Sequence, residues 1–110
     1  MVKFPEIITS LPEAIIPLEG VKGWIAQGED FQIAFFEIEP GNLPPHNHSA
    51  QWGIVIEGEM SLTIGEETKK YQKGDSYYIP EGVIHQAEFH TYFRALDFFA
   101  EPERYKTKEE

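Results

Sequence analysis

The sequence predicts an all-β domain, with short antiparallel strands closed into a sandwich or barrel. Two observations carry this. No stretch of ten residues repeats apolar side chains at the helical period, whereas short β-branched and aromatic runs recur between turn residues every ~8–12 positions. At 110 residues, 41% hydrophobic and 14% aromatic, the chain has enough apolar surface for one core and is too short for two. Antiparallel sheets of this size bury one face and have edges to protect, and a jelly roll of two packed sheets does both.

Residues 1–20 read as an extended arm. Pro5, Pro12 and Pro17 exclude a long helix there, because proline lacks an amide donor and clashes with the preceding turn. One helical turn is expected over 10–14, with Ser10 as cap and Pro12 in the first turn. Strands are expected at 21–26, 31–38, 51–56, 60–64, 68–72, 76–79, 83–89 and 92–100. Gly and acidic residues mark the turns between them, and Pro40, Gly41, Asn42, Pro44 and Pro45 read as a loop. The barrel is therefore expected over residues 21–100. Residues 101–110 are expected to form a charged tail that frays or lies on the surface.

The charge balance limits the partners. Nine basic residues face 19 acidic ones, for a net charge of −10. A nucleic-acid binder needs a basic stripe, and none is present. The acidic excess likewise disfavours anionic membrane surfaces. With no cysteine, disulfides and thiolate chemistry are excluded. The first residues lack the continuous apolar segment of a signal peptide, and no window approaches the ~20 apolar residues of a membrane span. A cytoplasmic protein is expected.

The stretch from Pro44 to Gly58 holds the chemistry. Residues i and i+2 of an extended chain share a face, so His46 and His48 can aim two imidazoles at one point. Gln51 follows three residues later. In the second half Gly74, Pro80 and Gly82 lead to His85, with Gly82 free to take a positive φ before the chain turns inward. His85 then lies on a strand able to pair beside His46. His-x-His on a strand is also compatible with two imidazoles facing solvent, and Gln51 with hydrogen bonding near a site. His90 fits neither pattern and reads as a surface residue.

The residues Gly41, His46, His48, Gln51 and Gly58, followed by Gly74, Pro80, Gly82 and His85, resemble the two motifs of the cupin superfamily. That resemblance implies a double-stranded β-helix, or jelly-roll barrel, with one divalent metal inside, held by His46, His48, Gln51 and His85. Two departures stand out. Glutamate is usual where Gln51 stands, after a longer gap from His48, and Phe89 occupies the place of the second motif's asparagine. Three imidazoles and an amide are all neutral, so the ion would keep its full +2 charge and favour an anionic substrate or developing enolate over oxygen chemistry. A nitrogen-rich set suits Zn, Ni, Fe, Mn or Cu.

The last strand contains Asp97 inside an apolar run. Strand alternation places Phe93, Ala95, Asp97 and Phe99 on one face. If that face is inward, Asp97 is a general acid or base; if outward, it pairs with a surface cation. The site is similar to that of small pectin-degradation cupins acting on 4,5-unsaturated uronates, which have the His, His, Gln, His set, an aspartate, a phenylalanine two residues on, and an arginine. The resemblance implies that Asp97 is catalytic and that Phe99 and Arg104, the latter at a different spacing, bind substrate. Arg94 is a second option for the carboxylate. Trp24, Trp52, Tyr77 and Tyr78 are either aromatic walls of a sugar site or core and interface residues. The expected function is a metal-dependent isomerase or lyase on a small anionic sugar-derived or keto acid. The alternatives are a metal-dependent dioxygenase and a non-catalytic small-molecule-binding barrel. A homodimer is expected from the aromatic surplus and from the resemblance.

Overall fold

The computed structural model describes residues 3–108. Among these lie one short helix, α1 (Glu6–Thr9), and nine strands: β1 (Val21–Gln27), β2 (Gln32–Ile38), β3 (Gly41–His46), β4 (Gln51–Glu57), β5 (Glu59–Ile64), β6 (Glu67–Gln72), β7 (Ser76–Ile79), β8 (His85–Phe89) and β9 (Phe93–Phe99). They form two antiparallel sheets, ordered β1-β2-β9-β4-β7 and β3-β8-β5-β6. The sheets pack as the expected all-β jelly-roll barrel. Ile25, Ala34, Phe36, Val55, Phe93 and Ala95 of the first sheet meet Met60, Leu62, Ala87 and Phe89 of the second in one core. Among the described residues no helix is long and apolar enough to cross a membrane.

Alternation sets which side chains enter. In β2 every second residue from Gln32 to Ile38 is buried. In β8 the buried set is His85, Ala87 and Phe89. In β9 it includes Phe93, Ala95, Asp97 and Phe99, as the sequence pattern requires for an inward Asp97. Arg94, on the opposite face, is also buried. Its Nε donates to Glu57 Oε1 at 2.9 Å and its guanidinium lies 4.9 Å from the Phe4 ring. It serves the outer face, so the carboxylate role considered for it does not fit its position.

Three expectations need correction. The proline-rich 40–45 segment is not a loop but β3. It sits at a sheet edge and pairs with β8, and its register is interrupted between Leu43 and His46, where Pro44 and Pro45 lie. Prolines are tolerated on an edge because no neighbour requires their missing donor. The helical turn is at Glu6–Thr9, not over 10–14. The Pro5 carbonyl accepts from Ile8 and Thr9, and Ser10 ends the turn instead of starting it. The 10–14 stretch is used elsewhere: Ile25 N donates to Pro12 O, and Ala14 N to Gly23 O, which covers the β1 edge. The described part of the tail is pinned. Ile15 N donates to Lys106 O, Lys108 N to Glu13 O, and Gln32 clasps the backbone of Tyr105 through both ends of its amide. Glu109 and Glu110 lie outside the described residues.

Candidate metal centre

His46 closes β3 and His85 opens β8, and the two are direct cross-strand partners. His48 lies beyond the end of β3, in the link to β4, rather than on the strand. Its position is fixed from the second motif: Gly82, at φ +77°, donates its N–H to the His48 carbonyl at 2.9 Å. The ring centroids are 4.2 Å apart for His46 and His85, 4.7 Å for His48 and His85, and 5.2 Å for His46 and His48. One ring nitrogen from each of the three lies within 4.8 Å of the others.

The three rings share one orientation rule. His46 Nδ1 donates to Pro44 O at 2.8 Å, His48 Nδ1 to Ser49 O at 2.7 Å, and His85 Nδ1 to Val83 O at 2.9 Å. A carbonyl can only accept, so each neutral ring carries its proton on Nδ1 and its lone pair on Nε2. His85 Nε2 is buried with no hydrogen-bond partner. A buried lone pair facing two others is what a metal ligand presents, and backbone bonds on the opposite nitrogen are how such ligands are oriented. Burial pushes His48 down to about 4, with the Arg104 charge adding to the effect, and it lowers His85 as well. Both rings are therefore neutral at pH 7 and free of competing protons. The donors present fit a divalent transition metal.

Asp97 stands beside this cluster on β9. In a single cross-strand row, Tyr77 of β7 and Asp97 of β9 flank Gly53 of β4. The Tyr77 hydroxyl reaches across the glycine and donates to Asp97 Oδ1 at 2.6 Å, and Gln51 Nε2 donates to the same oxygen at 2.9 Å. A Cβ on Gly53 would overlap Asp97 Oδ1 and the Tyr77 ring, so only glycine permits the pairing. Burial raises Asp97 to about 6, and the two donors hold it from rising further. Both bonds fall on Oδ1. Neither Gly53 nor the Tyr77 contact was read from the sequence. A glycine inside an apolar strand was the available signal.

One cavity of about 340 Å³ joins these groups, lined by His46, His48, His85, Gln51, Tyr77, Asp97, Phe99 and Arg104, with apolar side chains beyond. Phe99 is buried, its ring 5.5 Å from that of His48. The Arg104 guanidinium lies 4.5 Å from the Tyr105 ring and 5.7 Å from Phe99, and its Nε is buried without a partner. Trp52 and Tyr78 are not brought in. They are 41% and 58% exposed on the opposite face of β4 and β7. Strand alternation sends them outward once Gln51, Gly53, Tyr77 and Ile79 point inward, so the wall position expected of them falls to Tyr77. Trp24 packs outside, edge-on to Phe4. His90 is exposed and bonded to Ser61.

A model of the cupin domain family matches residues 34–99 of this sequence. Xanthan biosynthesis protein XanB of Xanthomonas campestris pv. campestris is 37% identical over 65 residues, covering 56% of this chain and 14% of that protein. H2HPP isomerase of Bacillus subtilis is 33% identical over 89 residues, covering 78% of this chain and 38% of that protein. The chain thus spans a minor part of these curated relatives. Among solved structures, KdgF from Halomonas sp. superposes with a TM-score of 0.72 at 23% identity, covering 83% of this chain and 88% of that one. A likeness at that identity shows a common fold.

Proposed function

Because this chain belongs to the cupin domain family, we propose that it is a metal-dependent isomerase or lyase acting inside the barrel on a small anionic substrate, sugar-derived or a keto acid. One observation carries the reading: three imidazoles with a ring nitrogen each within 4.8 Å of the others, all tethered through Nδ1 to backbone carbonyls, share a cavity with a buried carboxylate. His46, His48 and His85 through Nε2, and Gln51 through Oε1, would hold one divalent transition metal (Zn, Ni, Fe, Mn or Cu). When bound, the metal supplies Lewis acidity, undiminished by any anionic ligand. The Gln51 amide suits both tasks, since donating through Nε2 to Asp97 leaves Oε1 for the metal.

The chain's own residues supply the rest. Arg104 offers a buried, unpaired N–H to a substrate carboxylate. Asp97 Oδ2 removes a proton at one carbon or oxygen of the substrate and returns it at another, while Tyr77 fixes the carboxylate's orientation through Oδ1. Phe99 walls the site against water. A relative named as an isomerase supports the reaction class. The outer-face row of Tyr78, Trp52 and Phe98, cross-strand partners on β7, β4 and β9, supports a homodimer.

The test is to load the protein with each metal in turn and follow 2-oxo acids and 4,5-unsaturated uronates by NMR. Isomerisation or elimination without oxygen uptake, abolished in Asp97→Asn with metal content unchanged, is the expected result. Oxygen consumption in step with substrate loss would instead identify a dioxygenase. Turnover surviving in Asp97→Asn would remove Asp97 from the mechanism.

A further inference from the structure

The cavity has two unlike halves. Its polar groups are contiguous: the three histidines, the Gln51–Asp97 pair, and Arg104 beside Phe99. From there two strands lead away into apolar surroundings. Along β8 the inward residues run His85, Ala87, Phe89, and along β9 they run Asp97, Ala95, Phe93. Each path advances four residue steps, roughly 13 Å at strand rise. They end where the rings of Phe89 and Phe93 pack at 5.0 Å. Phe36, Met60 and Leu62 line the same half, and no lining side chain there offers a hydrogen-bonding group. Two tyrosine hydroxyls border the cavity: that of Tyr77 is committed to Asp97, and Tyr105 stands at the polar end, its ring 4.5 Å from the Arg104 guanidinium and 5.6 Å from Phe99.

We infer that the substrate is an amphiphilic carboxylate, with a carboxylate or 2-oxo-acid head at the histidine–Arg104 end and an apolar body of about aromatic-ring size reaching toward Phe89 and Phe93. This rests on the proposed function and narrows it. A uronate would set ring hydroxyls against Met60, Leu62 and Phe89, side chains with nothing to pair them, and buried hydroxyls without partners are strongly disfavoured. An apolar body instead gains from leaving water, and the volume of about 340 Å³ suits a ligand of this size.

Calorimetric titration of the full-length, Zn²⁺-loaded protein tests this with four probes: phenylpyruvate, pyruvate, galacturonate and benzyl alcohol. Phenylpyruvate is expected to bind about tenfold or more tightly than pyruvate or galacturonate. Ala87→Phe, which fills the apolar half, is expected to erase that advantage while pyruvate binding persists. The wild-type probe series decides the matter alone if the variant does not fold. Galacturonate binding as well as phenylpyruvate overturns the apolar body and leaves the anion-binding metal centre standing. Benzyl alcohol binding with no carboxylate bound overturns the anionic head, and the proposed function with it.

Discussion

Asp97→Asn in metal-free protein should change how stability depends on pH, by an amount the structure sets. The Asp97 carboxyl is 2% exposed and is raised from 3.8 to about 6, chiefly by burial. Between those two values the folded protein binds a proton at this site that the unfolded chain has lost. Stability from this group is therefore greatest below 3.8 and falls as pH rises toward 6, with no further change above. The span corresponds to about 3 kcal/mol. Asparagine keeps an oxygen for Tyr77 and Gln51 and has no charge to bury, so the variant lacks this loss. Urea midpoints measured at intervals from pH 4 to 8, in chelator, give the comparison. The stability of Asp97→Asn minus that of the native protein should grow by about 2–3 kcal/mol across that range. Titration of His48, His85 and the other carboxylates cancels in the difference, except where they couple to Asp97. A difference that stays flat, or falls with pH, would refute the assignment of Asp97 as a desolvated carboxylate.

Other outcomes follow from the same geometry. Gly53→Ala drives a methyl into Asp97 and the Tyr77 ring, and should cost about 1–3 kcal/mol by denaturant unfolding; an unchanged midpoint would show that the row can spread freely. Because burial holds His48 down to about 4, protons should begin to displace metal from that ligand only as pH falls toward that value, which a Zn²⁺ competition titration from pH 7 downward will read. Replacing Ser49, whose carbonyl orients His48, should leave affinity intact, since the bond is to backbone. Trp52→Glu places a charge in the exposed aromatic row and should halve the apparent mass on size exclusion while the far-ultraviolet dichroism is unchanged.

Much of the site was legible because strand alternation is a strict rule. It put Asp97 and Phe99 on one face, leaving only whether that face points inward to the packing, and the two motifs put His85 on a strand able to pair beside His46. The same rule, applied to β4 and β7, would have sent Trp52 and Tyr78 outward. They were instead read by chemical type, as aromatics near a sugar site. β3 was hidden because two prolines usually argue against a strand, and only the edge position it holds makes them harmless. The pinned tail was hidden for a different reason. Residues such as Thr107 and Tyr105 are ordered by distant partners, Ala14 and Gln32, and local composition carries no trace of such contacts. The Tyr77–Gly53–Asp97 row is likewise a product of three strands meeting, although a lone glycine in an apolar run marked its centre.

The central claim is that three histidines of one tautomer form a metal centre. Anomalous scattering from crystals grown with Zn²⁺ tests it most directly. One ion is expected at about 2.0–2.1 Å from Nε2 of each of His46, His48 and His85, with every Nδ1 still bonded to its backbone carbonyl. An ion bound through Nδ1, or no anomalous peak among the three rings at saturating Zn²⁺, would contradict it.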